Sequence, residues 1–308
     1  MLLKLNAVTS NFSLFTNTTA RYLILAFTIV MVLYVLISIF WRWLKKDKYQ
    51  GSRFTTKNIA YITMLTSVSV VMTILVSVTI PITVLPPVRL AIEGLMIKIT
   101  GYLFGPIIGI ISGTITDMLV MLFVPSYINP VYIFCIILTG FFAGIGGVAK
   151  FKLKNHPWTM FILVNLLMLF FIGGGSYLVW QYPANNIPLS AGIVMNKYAV
   201  VAIIAGGGVF TLLVIYLVLF YYLITKKKER INEVLPIILL TILVEYVVTV
   251  LIASYADMSF LSSSSTKDYG LTMIARLVAA PIQIIFNVII IYVTWRTVSP
   301  LINIDNLN

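Results

Sequence analysis

Cysteine and histidine are nearly absent: the 308-residue chain has one of each, Cys135 inside an apolar run and His156 in a basic stretch. An intrachain disulfide and a Cys/His metal cage are both excluded. Charge is scarce as well, at 10% of residues against roughly 25% in ordinary globular proteins. Hydrophobic residues make up 60%, and the mean hydropathy is +1.05. Such a composition leaves no room for a large soluble domain and reads as an integral membrane protein. The short alternating segments of an outer-membrane barrel are missing, whereas several apolar runs exceed the ~20 residues that cross a hydrocarbon core as a helix. There is no G-x-x-x-x-G-K-[ST] loop to cradle phosphates, and the one histidine falls in a loop rather than beside a nucleophile, so neither enzymatic activity nor a cofactor is expected. Residues 1–20 are polar and rich in Ser, Thr and Asn, without the pattern of a cleavable signal.

What is present is a series of apolar runs separated by polar or basic flanks. They predict an all-α bundle of about nine transmembrane helices, at roughly 22–44, 57–84, 89–104, 106–124, 130–149, 158–182, 197–225, 233–256 and 271–296. The stretch 89–124 has to hold two spans, since one helix of that length would reach about 54 Å against a core of about 30 Å. Gly105-Pro106 is the natural turn between them. The net charge of +12 comes from short clusters at the ends of the runs, which is a topogenic pattern and not a nucleic-acid patch. With the N-terminus outside and the C-terminus inside, fourteen Lys and Arg collect on the cytoplasmic side, and only Lys4, Arg21, Arg89, Lys197 and Lys267 on the outer side. An even number of spans would break this alternation. A multi-pass protein of the cytoplasmic (plasma) membrane is expected. The glycine triplets 173–175 and 206–208 fall within spans and predict close helix packing.

An ionisable group at mid-membrane costs on the order of 2.5–3.5 kcal/mol, so each one should face a partner or a wet cavity. At 1.5 Å per residue, Arg89 sits at the outer mouth, with Glu93 about 6 Å, Arg276 about 8 Å and Asp117 about 10 Å deep. Arg89 and Glu93 share a helix face, and Asp117 and Arg276 lie at similar depth on different spans, so both pairings are feasible. Lys98 and Glu245, about 14 and 16 Å deep, could neutralise each other. Under the outer loops, Tyr127, Asn129 and Tyr132 on one side and Lys267, Asp268 and Tyr269 on the other would frame a polar concavity open to the medium. Aromatic rings with a few polar groups suit a flat heterocycle, and Arg89, Arg276 and Lys267 suit carboxylates. The tyrosines also fit an interfacial belt.

Three blocks resemble a known family. LPPVRLAIEGLMIKITGYLFGPIIGIISGTITDML, residues 85–119, is similar to a proline and arginine before a helix followed by a glycine-rich run ending in Asp. VPSYINPVYIFCIILTGFFAGIGG, 124–147, resembles a Pro and Tyr loop leading into a helix that ends in G-x-x-x-G, and ARLVAAPIQIIFNVIIIYV, 275–293, resembles a last helix that begins with Arg. Together they are similar to the S components, the substrate-binding subunits, of energy-coupling factor transporters, and most closely to the folate-type members. The resemblance covers about two-thirds of the chain. It implies a six-helix core with both ends in the cytoplasm, to which the first, sixth and seventh spans are additions.

The chain would then divide into 1–56, an extra helix and basic linker; 57–150, core helices 1–4; 151–230, an inserted helix pair; and 231–308, core helices 5 and 6. By resemblance, Arg89 and Arg276 would face the ligand and the 125–132 loop would be a lid. Glu93 and Lys98 depart from the family pattern. The family docks on a transmembrane coupling subunit carrying two ATPases through small residues spaced by four on the first core helix, where ITMLTSVSVV offers Thr63 and Ser67; such spacing serves intrachain packing equally well. The resulting expectation is a subunit capturing a folate-like or other vitamin from outside for ATP-driven uptake. The candidate substrate residues are Arg89, Glu93, Asp117, Tyr127, Asn129, Tyr132, Lys267, Tyr269 and Arg276. The alternatives are a non-catalytic membrane scaffold or assembly protein, and a solitary secondary carrier with Asp117 or Glu245 as its coupling carboxylate.

Overall fold

A computed structural model describes residues 17–44, 56–79, 94–123, 129–153, 156–182, 185–188, 194–226, 228–260 and 269–302. It is an all-α membrane bundle: α1 (Asn17–Leu44), α2 (Thr56–Thr79), α3 (Leu95–Phe104), α4 (Pro106–Phe123), α5 (Pro130–Lys152), α6 (Pro157–Gln181), α7 (Lys197–Ile224), α8 (Lys228–Leu243), α9 (Ala253–Phe260) and α10 (Tyr269–Ile302). α8 runs into α9 through a π-helical segment, Val244–Ile252, so the three form one membrane crossing. Among the described residues eight segments are long and apolar enough to span a bilayer, which makes this a multi-pass membrane protein.

The expected ninth span, 89–104, is corrected. Its described part is the ten-residue α3, about 15 Å long and half of what a crossing needs. Nine of its ten residues are buried, because α2, α4, α5 and α10 surround it. Protein rather than lipid solvates this helix, and span length ceases to be a requirement. A second addition to the expected pattern is a ribbon between α6 and α7. Its strands, β1 (Asn186–Pro188) and β2 (Val194–Asn196), pair antiparallel with Ile187 opposite Met195.

Local chemistry sets several boundaries. Gly105 joins α3 to α4 at φ 96°, a left-handed conformation in which a side chain is strained, and Pro106 opens α4 with a pre-set φ. Asn129 caps α5: its Oδ1 accepts from the Val131 N–H at 2.9 Å, with Pro130 at the first helical position. Asn196 caps α7 in the same way through Tyr198 N–H. His156 lies exposed just before Pro157 opens α6, as a basic-loop residue should.

Backbone-to-backbone packing of α3, α4 and α5 forms the tightest part of the bundle. A Cβ added at Gly101 would come within 2.5 Å of the Gly140 carbonyl oxygen. Gly109 and Gly140 face each other so closely that a methyl on either would overlap the other's backbone, and Gly144 meets the Gly105-Pro106 turn in the same manner. Glycine at these positions lets the helices approach to a distance no larger residue permits. The glycine triplets behave differently. Gly175, Gly207 and Gly208 press on Leu277, Pro281 and Ile172, but Gly173, Gly174 and Gly206 have nothing described within 4 Å. The packing expected of the triplets therefore holds for half of their residues.

Around this triad lie apolar cores. One joins α6 and α7 to α8 and α10 through Val164, Met168, Ile204, Ile238 and Ile284, and Phe171 stacks on Tyr246 at 4.5 Å. Another packs α3 against α2, α8 and α10, ending in Tyr102 and Trp295 with the Lys150 ammonium 4.0 Å from the Trp295 ring centre. α1 touches the bundle along Ala20, Ile24, Phe27, Met31 and Tyr34 and exposes large apolar side chains such as Leu25, Ile29 and Leu33, as a peripheral helix solvated by lipid would.

Gly109→Ala and Gly140→Ala should each lower stability by about 1–3 kcal/mol, since the backbones must separate to admit a methyl. Gly173→Ala should leave it unchanged or raise it by up to about 1 kcal/mol, because helix propensity improves and nothing is displaced. Thermal unfolding of the detergent-solubilised variants, followed by intrinsic fluorescence, checks the contrast. Equal loss at all three positions would refute the close-packing account.

Candidate functional site

Segments 80–93, 124–128 and 261–268 lie outside the described residues. α9 and α10 pack against one another. Asp257 of α9 and Arg276 of α10, 19 residues apart in sequence, meet at one level. Arg276 Nε donates to Asp257 Oδ2 at 2.8 Å, and Nη2 lies 2.7 Å from the same oxygen. The Tyr132 hydroxyl, from the first turn of α5, donates to Asp257 Oδ1 in a short hydrogen bond.

The guanidinium is only 1% exposed. Ions removed from water at this depth cost several kcal/mol each unless paired. Pairing is present, but the guanidinium is incompletely used: Nη1 makes no hydrogen bond among the described residues. Backbone carbonyls of the same helical turn tie in the neighbours. Asn129 Nδ2 donates to Ala256 O at 3.3 Å, the Tyr269 hydroxyl to Leu251 O at 2.6 Å, and Thr272 Oγ1 to Ser254 O at 3.1 Å.

Of the nine residues expected at a substrate site, the fold gathers Asn129, Tyr132, Tyr269 and Arg276 into this one cluster. Arg89, Glu93, Tyr127 and Lys267 lie outside the described residues. Asp117 is half-buried on α4, and the expected Asp117–Arg276 pair is corrected: the guanidinium takes Asp257 instead. Asp257 sits on α9, which packs against α10, whereas Asp117 belongs to a helix that is not among α10's main packing neighbours. Sequence reasoning missed Asp257 because it falls one residue beyond the assigned end of its span.

Deeper in the bundle lies a second group. Lys98, 2% exposed, donates through Nζ to Asn287 Oδ1 at 3.0 Å, and Asn287 Nδ2 donates back to Gln283 O at 2.8 Å. Glu245, at the start of the π-helical segment, is 1% exposed and within electrostatic range of both Lys98 and Arg276. The expected Lys98–Glu245 approach is thus present as a longer-range attraction, while the direct contact of Lys98 is with Asn287. Neither Glu245 oxygen has a hydrogen-bond partner among the described residues, and neither polar atom of the Gln283 side-chain amide has one. Arg276, Gln283 and Asn287 are spaced by seven and four residues and share one face of α10. They form a polar ladder along α10, with Glu245 within electrostatic range of Arg276 at one end and of Lys98, the partner of Asn287, at the other. Beside it is a cavity of about 20 Å³, lined by Gly94, Lys98, Cys135, Thr139, Thr249 and Ala253 among others. Such a space holds one or two water-sized groups.

No family model matches the chain, and no solved structure matches it. A curated protein of Mycoplasma pneumoniae, described as "Uncharacterized protein MG098 homolog", is similar over 60 residues at 43% identity. The matched stretch is 20% of this chain and 12% of that protein. That likeness is local and names no activity.

Asp257→Ala should destabilise the protein by about 3–5 kcal/mol, since it leaves a guanidinium buried without its counter-charge. Arg276→Gln combined with Asp257→Asn should cost clearly less than the sum of the single changes, with a coupling of about 1–3 kcal/mol. Unfolding in detergent for the four members of this cycle measures it. Strict additivity would mean that the two side chains do not stabilise one another.

Proposed function

We propose that this protein is the solute-capturing subunit, an S component, of an energy-coupling factor importer, and that it binds a folate-like or other heterocyclic vitamin at the cluster built around Arg276. The observation that carries this reading is the buried guanidinium of Arg276, fixed by Asp257 with Nη1 left without a hydrogen bond among the described residues. A fixed cation with an open donor is suited to a ligand carboxylate, because a charge-assisted hydrogen bond there needs little reorganisation. Tyr132, Tyr269 and Asn129 around it supply the aromatic and amide surface on which a planar ring rests. The three sequence blocks that resemble the S components, residues 85–119, 124–147 and 275–293, run through α3, α4, α5 and α10, and the cluster is assembled from two of them together with Tyr269 and α9.

Energy for uptake would come from partners, a transmembrane coupling subunit with two ATPases. Thr63 and Ser67 fit a docking role: both are exposed on α2, and both hydroxyls are turned back onto their own helix, to Ile59 O and Thr63 O at 2.9 Å. With the hydroxyls satisfied, that face presents small, apolar-like contacts to another membrane helix.

A scaffold or assembly role is the second reading. The pairing of Arg276 with Asp257 and Tyr132 favours it, since that much of the cluster balances its charge within the chain. Binding decides between the two. Mass spectrometry of small molecules released from the purified protein should identify a captured heterocycle in near-stoichiometric amount, and titration with folic acid should show saturable binding. The Arg276→Gln/Asp257→Asn protein, which keeps the charge balance, should bind at least about tenfold more weakly, the equivalent of one charge-assisted contact of about 1.5–3 kcal/mol. No released ligand and no saturable binding would favour the scaffold.

Docking is tested separately. Thr63→Phe with Ser67→Phe should leave folic acid affinity within about twofold and abolish co-purification with the coupling subunit, because bulk at this spacing keeps the helices apart. Retained co-purification would move the interface elsewhere.

A further inference from the structure

Among the described residues the buried charged side chains are Lys98 and Arg276 against Asp257 and Glu245, two of each sign. The interior is therefore neutral as it stands. Any anion brought to Arg276 Nη1 adds one uncompensated negative charge to a region sealed from water, and such a charge is not tolerated without a partner. Either the anion is excluded or one of the carboxylates gives up its charge by taking a proton.

The two carboxylates are not equivalent. Asp257 accepts from Arg276 and from Tyr132, and protonating it would weaken the contacts that hold the site together. Glu245 accepts no hydrogen bond among the described residues, so neutralising it breaks none. A protonated Glu245 would instead gain an O–H donor. Gln283 Oε1, on the α10 face between Arg276 and Asn287, is an acceptor with no hydrogen bond among the described residues. The cations that act on Glu245 come from two helices, Lys98 of α3 and Arg276 of α10. Among the other titratable groups on the elements packed about it are Tyr34 of α1, Tyr132 and Cys135 of α5, and Asp257 and Tyr246 of its own crossing. The π-helical segment bears on this as well: a run of i→i+5 turns is uncommon and recurs at functional positions, and here it begins beside Glu245, whose carboxylate has no hydrogen bond among the described residues.

We propose that Glu245 is a proton-binding site linked to capture, so that one proton from the medium is taken up by its carboxylate for each ligand carboxylate bound at Arg276. This rests on the reading that an anionic solute binds there. The step forms one O–H bond on the Glu245 carboxylate and breaks the bond that held the proton to hydronium or the buffer acid, and the bound pair carries no net charge into the interior.

Calorimetric titration of the detergent-solubilised full chain with folic acid, repeated in buffers of different ionisation enthalpy, counts the protons taken up. A second series uses 4-aminobenzoyl-glutamate, whose titrating groups near neutrality are fewer. The wild-type protein should take up close to one proton per ligand, and its affinity should fall as pH rises between about 6 and 8, by up to the roughly tenfold per unit that one linked proton allows. Glu245→Gln, which imitates the protonated side chain, should bind with no proton uptake and with an affinity constant to within about twofold across that range. Glu245→Asp should restore uptake. Binding by the wild type without proton uptake would overturn the proposal while leaving capture intact, as would uptake that persists in Glu245→Gln; the wild-type measurement stands even if the variants fail to fold. Failure of the wild type to bind either probe would instead overturn the capture reading, and the proton site with it.

Discussion

The contact between Arg276 and Asp257 is the constraint on which the polar half of this bundle depends. An arginine two turns into an otherwise apolar helix cannot remain ionised among hydrocarbon side chains unless an anion stands at its own level. α9, packed against α10, supplies that anion in Asp257. Once the pair is formed, its remaining valences recruit neighbours. Tyr132 completes Asp257 from α5, and Asn129, one position before α5, reaches Ala256 next to Asp257. Two ions thus fix the relative position of three helices.

The opposite strategy operates between α3, α4 and α5. There the helices touch through Gly101, Gly109, Gly140 and Gly144 with no side chain between them. Within a membrane no hydrophobic effect drives helices together, because lipid is as apolar as leucine, and close van der Waals contact takes its place. This rigid triad explains how a helix as short as α3 is held: it is wedged against α4 and α5 by glycine contacts and carries Lys98 into the interior. A buried lysine needs such a mount, since a helix free to slide would let the ammonium retreat to an interface by extending its stem.

The helical architecture was legible because lipid demands uninterrupted apolar surface and loops demand charge or turn residues; every expected run has a counterpart in a helix or in a continuous helical crossing. What stayed hidden depended on tertiary proximity. Asp257 lay just past the assigned end of its span, and Asp117, in a better-marked position, was given its role. Neither glycine nor proline occurs within 244–252, so nothing local announced the π-helical turns there. In the triplets, a Gly that faces a neighbour and one that faces outward are the same letter, and only the packing of α6 and α7 against α10 separates them.

The distribution of the buried charges also divides the chain. Lys98, Glu245, Asp257 and Arg276, together with Asn287, Gln283 and the residues lining the small cavity, come from α3 with its preceding Gly94, from α5, from the α8–α9 crossing and from α10. α1, α6 and α7 contribute no buried charged side chain among the described residues and meet the rest through apolar contacts and glycine faces, together with hydrogen bonds from Arg21 to Tyr255 and between the Tyr222 and Tyr292 hydroxyls. A helix added to the outside of a working bundle has to satisfy only packing and lipid exposure. A helix that shares a charge network must match its neighbours in depth, register and sign. Among the described residues α1, α6 and α7 obey the first set of constraints. The buried charges are borne by α3, the α8–α9 crossing and α10, which obey the second.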